Sequence, residues 1–220
     1  MLHKISLGTS DIDKYRLIQS RELVDEVVDL GKELRGLRLC HINSTPFGGG
    51  VAELLVSYIP LLRSVGIQAD WQIIRGDRRF FTITKGLHNA LQGAPFEEIK
   101  KENIKRVYQT NNQANASQLD LNYDAFIVND PQPAALRHYL PQSKAKWVWR
   151  CHVDSSQPDR TVWNFLRPYI EQYDAAVFTT KDFIPKDLRL DKIATMAPAI
   201  CAFSSKNMFI KRYVLSLIHI

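Results

Sequence analysis

This sequence predicts an α/β protein built on a doubly wound parallel sheet, and three observations carry the prediction. Short apolar runs alternate with helical patterns along most of the chain, and those runs are apolar on both faces. One of them passes through three consecutive glycines straight into a helix. With 220 residues the chain is long enough for one sizeable core.

The elements follow in order. Ser20 is the expected N-cap of a first helix running to Leu34, with Leu23, Val24, Val27, Val28, Leu30 and Leu34 as its apolar stripe and Gly36 ending it. A strand at 37–43 leads into the glycine turn at 48–50. The helix that follows, 51–65, directs Leu54, Leu55, Tyr58, Leu61 and Leu62 at a core, and Gly66 supplies its left-handed cap. A second strand spans 67–74. Gly76-Asp77 opens an irregular or helical segment over 78–91, which Gly93 closes. A polar helix between Pro95 and Leu119 is supported by Glu97/Lys101 and Glu102/Arg106 at i,i+4 spacing. Strands at 125–129 and 146–151, a helix at 159–171, and strands at 175–179 and 193–196 complete the pattern.

Composition narrows the function. A net charge of +6 favours anionic ligands in general, but Lys and Arg are scattered and no basic run interleaves with aromatics, so nucleic acid is not expected. Cys40, Cys151 and Cys201 lie far apart without metal-ligand spacing and read as buried thiols. The first residues lack the apolar core of a signal peptide, and no apolar run reaches the ~18 residues of a membrane span. Cytoplasm and no membrane partner are the expectations, with no metal site.

The glycine turn is the most informative local feature. Glycines let a ligand approach the main chain without meeting a Cβ, and the N–H groups opening the next helix have no intrahelical partner, so they favour an anion. An ordinary tight turn explains the same residues. The dinucleotide fingerprint is absent, since Glu53 stands where its third glycine would fall, and no Lys-Ser or Lys-Thr pair makes a phosphate-binding P-loop.

Ligands of such sheets bind outside the carboxyl ends of the strands. There the chain places Asn43-Ser44-Thr45, then Asn129-Asp130-Pro131-Gln132-Pro133, then Arg150-Cys151-His152-Val153-Asp154. Amide, carboxylate, guanidinium and imidazole suit sugar hydroxyls and phosphate. Each has a plainer reading: Asp130 as a turn former, His152 packed on Trp149, Arg150 paired with Asp154 or Asp130. His41 reads as a core histidine, and His88 is open.

Taken together, 41–53, Asp130-Pro131-Gln132-Pro133, 149–154 and 162–169 resemble the amino-terminal half of the glycosyltransferring trehalose synthases of retaining glycosyltransferase family 4. Retaining trehalose phosphorylases are close relatives. The resemblance implies the Rossmann-like, amino-terminal half of a GT-B fold, with the active site in a cleft between two domains. It implies transfer of glucose from a nucleoside-diphosphate glucose to glucose, giving α,α-trehalose with retention. It also implies catalytic roles for His152 and Asp130. Asn43, Gly48, Gly49, Gly50, Glu53, Gln132, Arg150 and Asp154 would bind substrate. Glucose, trehalose and the nucleotide-sugar are the implied small-molecule partners; a Mg2+ requirement and a homodimer stay open, as do the phosphorylase and a non-catalytic sugar-binding domain.

Two departures from the family pattern stand out. Asn129 sits where the resemblance implies histidine, which alters a donor to the sugar. The carboxy-terminal, donor-binding domain that the resemblance implies is expected to be missing. The expected organisation is a helical extension at 1–36, an acceptor-side domain at 37–212, and a non-native tail at 213–220 similar to translated sequencing-adapter sequence, making the chain a truncated form inactive alone.

Overall fold

A computed structural model describes residues 2–204 and Asn207. The proposed tail at 213–220 lies outside the described residues. The elements are β1 (His3–Lys4), α1 (Arg21–Glu33), β2 (Arg38–Asn43), α2 (Gly50–Ser64), β3 (Gln68–Ile73), α3 (Arg78–Leu91), α4 (Glu102–Ala116), β4 (Ala125–Asn129), β5 (Lys146–Arg150), α5 (Arg160–Ile170), β6 (Ala175–Phe178) and β7 (Ile193–Thr195). Short 3-10 turns occur at Ile12–Leu17, Glu97–Lys100, Leu136–Tyr139 and Lys181–Phe183.

The sheet order is β1-β3-β2-β4-β5-β6-β7. Every neighbouring pair is parallel except β1, which runs antiparallel to β3 through His3↔Ile73 and Lys4↔Gln72. The chain leaves β2 toward one edge and returns to β2's other side as β4. The point where the order reverses therefore lies between the ends of β2 and β4, where open α/β sheets bind ligands.

Alternation along the strands splits the core in two. Cys40, Ile42, Phe126, Val128, Trp147, Trp149, Ala176 and Phe178 face α3, α4 and α5. Leu39, Ala69, Trp71 and Ile73 face Ala52, Leu55 and Ile59 of α2. All four tryptophans are fully buried, and each indole N–H is bonded. Trp71 donates to Asn43 Oδ1 at 2.8 Å, Trp149 to the Asp130 carbonyl at 3.0 Å, Trp147 to Ser143 and Trp163 to Asp187. Two of these anchors hold the ends of β2 and β4.

Caps explain why the helix boundaries match the sequence expectation so closely. Ser20 accepts from the Leu23 N–H, Asp77 from Phe80 and Asp159 from Val162, each satisfying an otherwise orphaned donor. Three expectations are corrected. The single polar helix between 95 and 119 is broken at Lys101, whose ψ of 124° is extended. Its ion pairs are Glu97–Lys100 and Glu102–Lys105, at i,i+3, in place of the i,i+4 pairs. The apolar stripe of α1 does not all reach the core: Val24 and Gly31 are buried, whereas Leu23, Leu30 and Leu34 are about half exposed. The N-terminal segment is also not helical throughout, since β1 adds an edge strand to the sheet. Cys40 and Cys151 are buried free thiols, and Cys201 is only partly covered. No helix among the described residues is long and apolar enough to cross a membrane.

Gly31 is where α1 meets the end of α2. A Cβ there would lie 2.5 Å from Val65 Cβ and 2.6 Å from the Val65 carbonyl oxygen. Gly31→Ala is accordingly expected to destabilise the fold by about 1–3 kcal/mol, the usual cost of forcing extra volume into a packed contact. Urea unfolding measures it, and stability equal to the parent's would contradict this packing.

Candidate active site

The rim at the carboxyl ends of the parallel strands encloses a cavity of about 800 Å³. The glycine turn and α2 form one wall, with Gly50, Glu53, Leu54, Tyr58 and Leu61. Asp130 and His152 stand on the floor, at the ends of β4 and β5, and His88 of α3 also reaches the space.

Asp130 is the residue at which β4 turns away from the sheet, with φ at 62°. Asp and Asn enter this left-handed region more readily than other non-glycine residues, at a cost of order 1–3 kcal/mol when the surroundings enforce it. Three bonds enforce it here. The Asp130 N–H donates to the Arg150 carbonyl at 2.8 Å, its carbonyl accepts from Trp149, and its carboxylate Oδ1 accepts the His152 backbone N–H at 2.9 Å. Burial pushes the carboxyl up to about 6, against the His152 N–H and the Arg150 charge that favour ionisation. His152 sits beside it, its Nε2 3.0 Å from Asn129 Oδ1. Burial, with Arg150 nearby, lowers its imidazole to about 4, so it is neutral at pH 7. The pair thus offers an ionised carboxylate and an uncharged imidazole side by side.

Above them, α2 begins at an N-cap, Gly49, that provides no side-chain cap. The first intrahelical bond is Glu53 N–H to the Gly49 carbonyl, so the N–H groups ahead of it keep the donor capacity expected of a helix start. Within the turn only Gly48, at φ 76°, uses the conformational freedom of glycine. Gly49 has an extended φ of −170°, and a Cβ on Gly49 or Gly50 meets nothing within 4 Å. Strain is thus confined to Gly48; the others leave the approach to the main chain open.

Four expected substrate ligands lie away from the cavity lining. Asn43 is buried, with Oδ1 accepting from Trp71 and Nδ2 donating to the Thr45 carbonyl, so its amide shapes the loop instead of facing the cavity. Gln132 carries a buried, unpartnered Oε1 outside the cavity wall, and its carbonyl accepts from Asn112. Arg150 pairs with neither Asp154 nor Asp130: it is buried beneath the rim, with Nη1 2.7 Å from Met196 Sδ. Asp154 is an exposed turn former whose Oδ1 accepts the Ser156 N–H. Gly48 and Gly49 flank the cavity without lining it, and Gly50 and Glu53 do line it. Trp149 does not pack on His152; it points to the opposite face of the sheet, against Phe178. His41 is a core histidine as expected, edge-on to Tyr58, with burial lowering it to about 3. Cys151 is pushed up to about 12 by burial, which leaves its thiol inert at neutral pH.

Sequence reasoning did not single out Tyr15, Ser57, Tyr58 or Thr179 as wall residues. Their one detectable signal is the helical spacing of Leu54, Tyr58 and Leu61, which marks a face of α2 without saying that the face lines a cavity. Among the described residues no group of three or more His, Cys, Asp or Glu side chains is placed to hold a metal.

A mostly parallel open sheet, with a cavity at its switch point that holds Asp130 and His152 among largely apolar walls, defines an α/β domain with a candidate ligand site at its strand ends. Residues 41–185 match the family described as trehalose synthase, N-terminal domain, and the chain belongs to that family. It is 41% identical to the trehalose synthase of Pyrococcus horikoshii, over 95% of this chain and 50% of that protein, and 40% identical to that of Rubrobacter xylanophilus, over 96% and 52%. A trehalose phosphorylase of Grifola frondosa is 26% identical over 86% of this chain and 29% of its own length. The chain spans about half the length of the trehalose synthases it matches.

The two site groups pull stability in opposite directions with pH. His152 is held at about 4 against an ordinary 6.5, so between these values the unfolded chain binds the extra proton; its contribution is complete above 6.5 and is lost as pH falls toward 4. Asp130 is held at about 6 against 3.8, so the folded chain keeps the proton in that window and the contribution declines as pH rises through it. His152→Gln is expected to flatten the rise of stability from pH 4 to 6.5, and Asp130→Asn to steepen it. Urea unfolding across this range reads both slopes, and unchanged slopes would contradict the assignments.

Proposed function

We propose that this chain forms the acceptor-side half of a retaining glucosyltransferase that moves glucose from a nucleoside-diphosphate glucose to the anomeric hydroxyl of glucose, giving α,α-trehalose. The observation that carries the reading is the placement of Asp130 and His152 together on the floor of the rim cavity, beneath the uncapped start of α2. The carboxylate and imidazole suit sugar hydroxyls, and the helix start suits the donor's negative charge.

In this reading the acceptor attacks on the face the diphosphate leaves, and a phosphate oxygen takes its proton. The residues of this chain position the sugar and oppose charge build-up, which is how catalysis proceeds when the protein supplies no covalent step. The second half of the cleft, with most nucleotide contacts, would come from the part of the relatives this chain does not span. This half alone is expected to bind sugar without turnover. A second reading, in which inorganic phosphate replaces the nucleotide, is favoured by the similarity to trehalose phosphorylases.

A gene product extended to the length of the relatives tests both. Trehalose formation with a nucleoside-diphosphate glucose supports the synthase reading, and glucose 1-phosphate release from trehalose and phosphate supports the other. In the extended protein His152→Ala is expected to lower transfer about 10–100-fold, the loss of one or two hydrogen bonds in the transition state. Its melting midpoint should move by no more than about 4 °C. Transfer at the parent rate would remove His152 from the site.

A further inference from the structure

Asn129 ends β4 on the strand face it shares with Ala125 and Ile127, and it is buried. Its Nδ2 lies 3.0 Å from the Ile42 carbonyl oxygen on the neighbouring strand and 3.4 Å from that of Ile127. Both are acceptors that only the amide NH2 can satisfy, so the orientation of the amide is fixed by its surroundings. The atom facing His152 Nε2 at 3.0 Å is then Oδ1, which accepts and cannot donate. Nε2 must carry the hydrogen. Because the imidazole is neutral, its other nitrogen, Nδ1, is left as a bare lone pair. Among the described residues Nδ1 has no hydrogen-bond partner, and the ring lines the cavity.

We propose that Asn129 is a positioning residue that locks His152 in its Nε2–H form, so that His152 meets its ligand as an acceptor and selects a donating sugar hydroxyl over a phosphate oxygen. The choice of a sugar rests on the proposed function; the lock on the tautomer does not. The oxygens of a nucleotide-sugar's diphosphate, ionised at neutral pH, have no hydrogen to give, and against the Nδ1 lone pair and the Asp130 carboxylate they meet only repulsion. The same two groups receive hydroxyl hydrogens well. The anion is thereby directed to the other wall, at the start of α2, and the floor is reserved for sugar. The histidine that the family resemblance implies at this position would offer a different pair of ring nitrogens to His152.

Long-range nitrogen NMR of the labelled 220-residue chain reads the tautomer directly, with His152 assigned by the signal lost in His152→Gln. The expected spectrum at pH 7 shows His152 protonated on Nε2 and bare on Nδ1. Asn129→Ala should mix the tautomers, whereas Asn129→Asp, which keeps an acceptor, should retain Nε2–H and raise the imidazole pKa. A purely structural Asn129 would leave the tautomer unchanged in both variants, and Nδ1 protonation in the parent would equally overturn the proposal. Should Asn129→Ala fail to fold, Asn129→Leu, which removes the acceptor at similar size, is read for the same mixing of tautomers, and an unchanged Nε2–H form there overturns the proposal.

The sugar arm uses glucose and its singly fluorinated analogues, since fluorine keeps the size of a hydroxyl but cannot donate. One replacement should weaken binding about tenfold in the parent and have no such effect in His152→Ala. Fluorinated sugars that all bind as glucose does would overturn acceptor selection. Loss of all glucose binding, with the expected tautomer present, would instead sink the sugar reading and leave the lock standing.

Discussion

The candidate site depends on one residue held in an uncommon conformation. Asp130 leaves β4 with a left-handed backbone, and its N–H, carbonyl and carboxylate are engaged by Arg150, Trp149 and His152 respectively. All three partners belong to the end of β5 or the residues just after it. A left-handed aspartate is affordable because its surroundings over-determine it. The result is a knot between neighbouring strands that sets the height and direction of His152. The buried Trp149 indole makes the knot part of the core, so the site floor inherits the rigidity of the sheet.

From this knot the electrostatic layout of the cavity follows. The floor carries acceptors, while the opposite wall carries the donors of an uncapped helix start. Arg150, buried just beneath and without a carboxylate partner among the described residues, favours ionisation of Asp130 and opposes protonation of His152. Under the proposed function such a cleft would separate the hydroxyl-rich from the anionic part of one ligand, as a sugar joined to a diphosphate requires. Belonging to the trehalose synthase N-terminal family agrees with that division without itself assigning a role to any residue.

Much of the fold was legible in the sequence because its signals are local. Asp77 and Gly93 bracket α3, Asp159 starts α5, and the strands are short apolar runs ended by polar residues. The rim was legible too, since topology alone sends the carboxyl ends of the parallel strands to one edge. Which side chains face the cavity was not. Asn43 and Arg150 lie in the expected stretches, but the two-residue period of a strand and the demands of Trp71 and Met196 turn their polar groups elsewhere. Tyr58 and His88 reach the cavity from helices remote in sequence, where nothing local distinguishes a cavity wall from a core face. The break at Lys101 and the exposed half of the α1 stripe are tertiary outcomes that periodicity does not encode.

A crystal structure of this chain grown with glucose is the decisive measurement. It is expected to show a sugar on the floor of the cavity, with hydroxyls within hydrogen-bond distance of the Asp130 carboxylate and His152 Nδ1. Glucose bound elsewhere while that floor stays empty, or bound there with the Asp130 and His152 side chains turned away, would contradict it.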